Sequence, residues 1–352
     1  MVRLGIIGTG RIAKRAVKEL SFVPEIELVA VFNPNFEHGE AFAKKTETIY
    51  GTEAGSIVAS PDLGSFAAAI DAAYIATPHG THHSYAEKML MAGKHVICEK
   101  PLCLKEAGAR DLFDLATSKG LVLMEAVKTA YCPGFKKIQE VVESGAIGEV
   151  VDVEATFTRL TEPSGREFDP AACGGSFTEF GSYTLLPILR FLGTDYGDVF
   201  VQSIMTGSGV DGYSKVTISF GTKEKSSEMS GAGAGPKVYA TATARTGLTA
   251  KSEGQLVITG TKGYVLVPSP WWLTKYFEVR YEDPDQIERY ECEYEGDGLR
   301  YEFRELVDRV TKIQAGGGAS HLSEGKLFSQ KESSEAIARA SVFETVLHEI
   351  YG

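Results

Sequence analysis

The sequence predicts an α/β Rossmann domain, a doubly wound parallel sheet, followed by an α+β domain with a large, mostly antiparallel, open-faced sheet. Three observations carry this. Short apolar runs alternate strictly with helical stretches over the first 125 residues, strand-like segments follow one another after about residue 150, and 352 residues exceed what one hydrophobic core usually serves. The boundary is placed after residue 124, giving domains 1–124 and 125–352.

In the first domain the runs Leu4–Ile7, Leu28–Phe32, Ala73–Ala76, His95–Cys98 and Val122–Met124 are short, partly β-branched and bounded by Gly, Pro or Asn, as buried parallel strands should be. Helical stretches lie between them at Ile12–Leu20, Glu37–Lys45, Thr81–Ala92 and Lys105–Lys119. One more helix, Gly134–Ser144, precedes the change of pattern. Strands are then expected at Val150–Leu160, Val199–Met205, Val216–Phe220, Val238–Arg245, Gln255–Thr259, Tyr264–Val267 and Tyr276–Tyr281, with a helix over Ser182–Leu192 interrupting them. Ser334–Tyr351 places Ala336, Ala340, Phe343, Leu347 and Ile350 on one stripe of an amphipathic helix packed on the body. Gly207–Gly212, Ser230–Gly235 and Gly316–Gly318 read as turns or loops.

Composition narrows the function classes. A formal net charge of −11 with no Lys/Arg block speaks against a nucleic-acid or anionic-membrane surface. No apolar run approaches the roughly 18 residues a membrane span needs, and Met1-Val2-Arg3 leads directly into a strand, so a cytoplasmic protein is expected. Cys98, Cys103, Cys132, Cys173 and Cys292 are scattered and never form a C-x-x-C pair, which fits reduced, buried thiols rather than disulfides or zinc. Of His79, His82 and His83, the last two are adjacent rather than at i, i+4, and no acidic partner accompanies the group, so no metal is expected.

The chemistry begins at Gly8-Thr9-Gly10-Arg11-Ile12-Ala13, where a strand runs into a helix through G-x-G-x-x-A. Gly8 permits the tight turn, Gly10 lets main chain approach a pyrophosphate, and Ala13 keeps the helix close to the sheet. The helix start supplies N–H groups and a favourable dipole to the phosphates. Asn33 stands at the end of the second strand, where an acidic residue would bind the ribose of NAD. It can bond a 2′-hydroxyl without repelling a 2′-phosphate, so either NAD or NADP fits. Ligands in such sheets lie beyond the carboxyl ends of the strands, so Ala76-Thr77-Pro78-His79-Gly80-Thr81-His82 and Glu99-Lys100 should face the nicotinamide half.

These motifs, together with Thr77-Pro78-x-x-x-His82, Ala92-Gly93-Lys94-His95-Val96 leading to Glu99-Lys100-Pro101, Glu125-Ala126 followed by Tyr131-x-Pro133, Gly145-x-x-Gly148 and Gly174-Gly175-x-x-x-Glu179-x-Gly181-x-Tyr183, resemble the Gfo/Idh/MocA oxidoreductase family over essentially the whole chain. The resemblance implies that domain 1–124 binds the dinucleotide and that 125–352 serves substrate binding and oligomerisation. It implies that Lys100 contacts the reacting hydroxyl or carbonyl, that Glu99 lies by the nicotinamide ribose, and that the Lys100–Pro101 peptide is cis. Departures are informative: Cys173 stands where relatives have a first glycine, Glu179 in the usual Asp place, and Tyr183 in the usual His place. Lys128 and Ala130 replace a Trp and an Arg frequent in relatives.

The resulting expectation is a hydride-transfer enzyme acting on a secondary alcohol or carbonyl of a sugar, cyclic polyol or dihydrodiol. Tyr183 moves the hydroxyl proton, Lys100 stabilises the oxyanion, Glu179 orients Lys100 or substrate, and Lys128 either brings positive charge to the substrate, which would suit an anionic sugar, or pairs with Glu125 or Glu179. The alternative is a non-catalytic dinucleotide sensor on the same fold. An open sheet face further predicts a homo-oligomer, a dimer or tetramer.

Overall fold

The alternation of the first 126 residues becomes a six-stranded, wholly parallel sheet in the computed structural model, which describes residues 1–221, 238–315 and 330–352. The elements run β1 (Val2–Ile7), α1 (Arg11–Leu20), β2 (Ile26–Phe32), α2 (Phe36–Tyr50), β3 (Val58–Ala59), α3 (Leu63–Ala69), β4 (Ala72–Ile75), α4 (His82–Met91), β5 (His95–Glu99), α5 (Glu106–Lys119) and β6 (Leu123–Ala126). The order β3-β2-β1-β4-β5-β6 reverses direction at β1, the switch point beyond which a dinucleotide binds in this fold. Because strand side chains alternate between faces, Leu4 and Ile6 join one buried cluster and Ile7, with Ile75 and Phe66, joins the other. The strand β3 and the helix α3 were not expected. Two residues and seven residues are too short for a periodic signal, and α3 is fixed by its cap, Asp62 accepting from Ser65 N–H at 2.8 Å.

The second sheet has eight strands. After α6 (Pro133–Glu143) come β7 (Val150–Thr158), α7 (Ser176–Leu192), β8 (Val199–Met205), β9 (Asp211–Gly221), β10 (Val238–Gly247), β11 (Leu256–Gly260), β12 (Tyr264–Val267), β13 (Tyr276–Arg280) and β14 (Ile287–Glu291). The order is β14-β13-β12-β11-β7-β10-β9-β8, antiparallel throughout except for the parallel pair β7 and β10. Alternate residues of β9 and β10 are buried and their neighbours half-exposed or exposed, so one face is packed and the other open. The edge strand β14, reading Ile-Glu-Arg-Tyr-Glu, escapes sequence detection because its main chain pairs with β13 while its charged side chains stay outside.

Two sequence expectations change here. The helix expected at Ser182 begins six residues earlier, at Ser176. The expected turn Gly207–Gly212 is shorter, since Asp211 and Gly212 already belong to β9. One side chain explains both: Asp211 is fully buried and accepts from Phe177 N–H at 2.9 Å and from the Ser176 hydroxyl at 2.7 Å, capping α7 from a distant strand. The loops expected at Ser230–Gly235 and Gly316–Gly318 lie outside the described residues.

The last helices are α8 (Leu299–Ala315) and α9 (Gln330–Tyr351). The chain divides into one unit of Met1–Tyr131 with Glu295–Ala340 and another of Cys132–Tyr294 with Ser341–Gly352. The described residues of 295–340, assigned from sequence to the second domain, thus pack in the first: α8 buries Leu299, Phe303, Leu306 and Val310 in the cluster of Leu4, Ile6 and Tyr74. On α9 the expected Ala336, Ala340 and Phe343 are buried, whereas Leu347 and Ile350 are half-buried and Val342 and Val346 are buried instead. Among the described residues no helix is long and apolar enough to cross a membrane. None of the five cysteines is in a disulfide. Cys98, Cys103 and Cys132 are buried, with burial pushing the Cys98 and Cys103 thiols up, while Cys173 and Cys292 are half-buried.

Candidate active site

The turn Gly8–Gly10 connects β1 to α1. Gly8 has φ +100°, and a Cβ there would meet the Ala76 carbonyl oxygen at 2.5 Å, so only glycine fits both the turn and the end of β4. A Cβ on Gly10 would meet nothing within 4 Å, and α1 starts with no side chain capping it. Main-chain donors therefore open onto unfilled space beside Gly10, as binding of a dinucleotide pyrophosphate requires. Thr9 is tied to β2: the Asn33 side-chain amide donates to Thr9 Oγ1 at 2.8 Å, and Asn33 Oδ1 accepts from Asn35 N–H. Arg11 is exposed and Ile12 half-buried on the first turn of the helix.

The expected nicotinamide-facing residues follow β4 and β5. Ala76 donates its N–H to the Ile7 carbonyl, and the Thr81 hydroxyl donates to Thr77 Oγ1 and to the Pro78 carbonyl, rounding the loop into a short helical turn at His79–Thr81. His79 and His82 are buried, with rings 5.7 Å apart edge to face. Glu99 ends β5 and accepts from the Tyr74 hydroxyl at 2.6 Å, and Lys100, half-buried, precedes Pro101 through a cis peptide.

Beneath Glu99 lies a charge cluster that sequence reading missed. Glu302 of α8 is fully buried, and neither carboxyl oxygen has a hydrogen-bond partner among the described residues. Burial, reinforced by Glu99, pushes its carboxyl well above the ordinary range, while Lys128 and Arg15 pull it back. Burial also pushes Glu99 up, opposed by Lys100. Lys128, expected at the substrate, is buried and donates to the Asp297 main-chain carbonyl; the Asp297 carboxylate in turn receives Arg15 Nε at 2.8 Å. A buried ammonium needs acceptors and nearby negative charge, and this corner of the first unit provides both.

In the second unit, Glu179 occupies the first turn of α7 and Tyr183 lies one helical turn further on the same face. Tyr183 is therefore well inside the helix rather than at its start. Glu179 is buried and meets Arg166 at 2.9 Å, an arginine the sequence reading did not single out. Gly175, at φ +121°, leads into α7 where a Cβ would strike Asp211 Oδ1 at 2.2 Å. Cys173 adopts the left-handed conformation at φ 53°. An aromatic wall adjoins Tyr183: Phe157 stacks on Trp272 at 3.6 Å and on Phe180 at 4.3 Å between centroids, with the Tyr183 ring 5.2 Å from Phe157. Arg159 lies over the Phe180 ring at 5.6 Å.

The first unit thus gathers the expected cofactor residues and Lys100, and the second gathers Glu179 and Tyr183. Arg166 and Trp272 were missed because a loop arginine and a tryptophan after Pro270 carry no periodic signal; the Trp271-Trp272 pair was the one visible hint.

Residues 2–127 match the oxidoreductase family with an NAD-binding Rossmann fold, and residues 135–266 match the GFO/IDH/MocA C-terminal domain. The chain is 31% identical to scyllo-inositol 2-dehydrogenase (NADP(+)) of Bacillus subtilis over 230 residues, covering 62% of this chain and 67% of the relative. It is 30% identical to trans-1,2-dihydrobenzene-1,2-diol dehydrogenase of Sus scrofa over 200 residues, covering 56% of each chain. These alignments span between about half and two thirds of the curated relatives' length. The crystal structure of KijD10, a 3-ketoreductase from Actinomadura kijaniata in complex with NADP and TDP-benzene, superposes with a TM-score of 0.77 over 99% of this chain and 97% of that one, at 21% identity. That likeness shows a shared fold.

Proposed function

Since this chain belongs to the Gfo/Idh/MocA oxidoreductase family, we propose that it is an NAD(P)-dependent dehydrogenase or reductase. Its substrate is a secondary alcohol, or the matching ketone, on a sugar, cyclic polyol or dihydrodiol. The observation that carries the substrate class is the aromatic wall of Phe157, Trp272 and Phe180 beside Tyr183. Flat apolar rings suit the C–H face of a cyclic substrate, while Arg166 and Glu179 offer polar groups for its hydroxyls.

The turn Gly8–Ile12, Asn33, the loop Ala76–His82 and Glu99 are the residues that would hold the dinucleotide, whose nicotinamide accepts or supplies the hydride. Tyr183 takes the proton from the substrate hydroxyl during oxidation and returns it during reduction. Lys100 stabilises the negative charge that develops on the reacting oxygen. Glu179, held by Arg166, orients a substrate hydroxyl. For Lys128 we favour the cluster beneath Glu99 over direct contact with substrate. The open sheet face, edged by the exposed Phe200 and Ile204 of β8, supports self-association into a homo-oligomer.

The test is a panel of sugars, cyclitols and dihydrodiols with NAD and NADP, followed at the absorbance of the reduced nicotinamide. Turnover is expected on at least one cyclic secondary alcohol and absent with primary alcohols. Tight cofactor binding without turnover on any of these classes would instead favour a sensor.

A further inference from the structure

Lys100 sits in a turn that three buried side chains hold from two flanks. On one flank is His82, fully buried at the start of α4. Its Nδ1 lies 2.8 Å from the Pro101 carbonyl and its Nε2 2.9 Å from the Thr77 carbonyl, so one ring spans the loops that leave the neighbouring strands β4 and β5. On the other flank is Glu125 of β6. Its Oε1 accepts from Leu102 N–H at 3.2 Å, and its Oε2 lies 3.3 Å from Nε of Arg339, which α9 brings in from 214 residues along the chain. The Pro101–Leu102 peptide, which directly follows the Lys100–Pro101 peptide, is thereby held at its carbonyl oxygen by His82 and at its N–H by Glu125, each a buried side chain.

We propose that His82 and the Glu125–Arg339 pair are positioning residues for Lys100, fixing its turn so that the ammonium is presented at one place beyond β5. The inference rests on reading Lys100 as the lysine that meets the reacting oxygen.

The energetics favour this over a purely structural role. Glu125 and Arg339 are both almost completely buried, and Nη1 of Arg339 has no hydrogen-bond partner among the described residues. A buried pair left incompletely bonded is a poor stabiliser, since an apolar pair of similar volume is often neutral or better. What the pair supplies that an apolar pair does not is an acceptor aimed at Leu102 N–H and a direction in which it points. Catalysis is sensitive to such placement: a shift of about 1 Å in a reacting group costs about a hundredfold in rate.

The experiment compares Arg339→Met, Arg339→Lys, His82→Asn and Lys100→Ala with the unaltered full chain. Three readouts need no substrate: cofactor affinity by calorimetry, hydrogen exchange of the Leu102 amide, and the pH dependence of Lys100 acylation by acetic anhydride, read by peptide mass spectrometry. Arg339→Met is expected to speed Leu102 exchange, shift the Lys100 acylation profile and lower kcat by about 10- to 100-fold, leaving cofactor affinity within about threefold. Arg339→Lys should restore most of each loss. His82→Asn, which cannot span both carbonyls, should move the same readouts in the same direction, and it provides a second route if Arg339→Met does not fold. Wild-type Leu102 exchange and Lys100 acylation in folded Arg339→Met and His82→Asn would overturn the inference. Undiminished turnover in Lys100→Ala would overturn the reading of Lys100 itself, a separate outcome, because exchange and acylation still report whether the turn is held.

Discussion

Glu302 makes the cluster beneath Glu99 measurable through stability. Facing it are Glu99 of β5, Lys128 after β6, Arg15 and Glu19 of α1, Tyr74 of β4 and Tyr131. Burial is the largest influence and raises its carboxyl well above the ordinary value near 4.5. Above that ordinary value the unfolded chain has lost a proton that the folded chain still holds. Stability therefore falls as pH rises from the ordinary value to the raised one, by at most about 1.4 kcal/mol per pH unit for this single proton. Glu302→Gln removes the titration while keeping the shape, so its stability should be flatter with pH than that of the wild type, with the gain appearing at pH 8 and vanishing near pH 4. Glu302→Leu also removes a buried polar group that lacks a partner, and it should stabilise by about 1–3 kcal/mol at neutral pH. Urea unfolding of the three proteins at pH 5, 6, 7 and 8, followed by circular dichroism with a common m-value, measures both effects. A Glu302→Gln protein with the wild-type slope, or a Glu302→Leu protein destabilised by more than about 2 kcal/mol, would refute the reading of a buried, unpartnered carboxyl held above its ordinary value.

Gly10→Val should abolish dinucleotide binding while the protein stays folded, because the branched side chain fills the open space beside the α1 start; unchanged affinity by calorimetry would remove the pyrophosphate from that place. Both cofactors should be used with less than about a hundredfold preference, and Asn33→Asp should shift the ratio of specificity constants toward NAD, since a carboxylate repels a 2′-phosphate. An unmoved ratio would mean that Asn33 is not beside the ribose. Tyr183→Phe should lose about two to four orders of magnitude in turnover and Lys100→Ala at least as much. If the two serve one proton transfer as proposed, the double variant should fall below the poorer single variant by less than about tenfold, and fully multiplied losses in steady-state kinetics would show that they act independently.

The sequence alone determined whatever depends on neighbours a few residues apart. Alternating apolar runs specified the parallel sheet, since a buried strand and an amphipathic helix each write their period locally. The turn from Gly8 to Ala13 and the Glu99-Lys100-Pro101 strand end were legible for the same reason: glycine and proline report the backbone conformation at their own positions. The spacing of Glu179 and Tyr183 on one helix face was fixed by the helical period even though the helix start was misplaced. Only tertiary structure decided which distant groups met. Asp211 caps α7 from 34 residues beyond Phe177, Arg339 reaches Glu125 across 214 residues, and the Glu302 carboxyl is buried beneath Glu99 because α8 returns to the first unit rather than the second. No local pattern encodes these meetings. They follow from how apolar faces such as Leu299, Phe303 and Leu306 are buried against Leu4 and Tyr74, and the charged residues carried on the same helices are placed as a consequence.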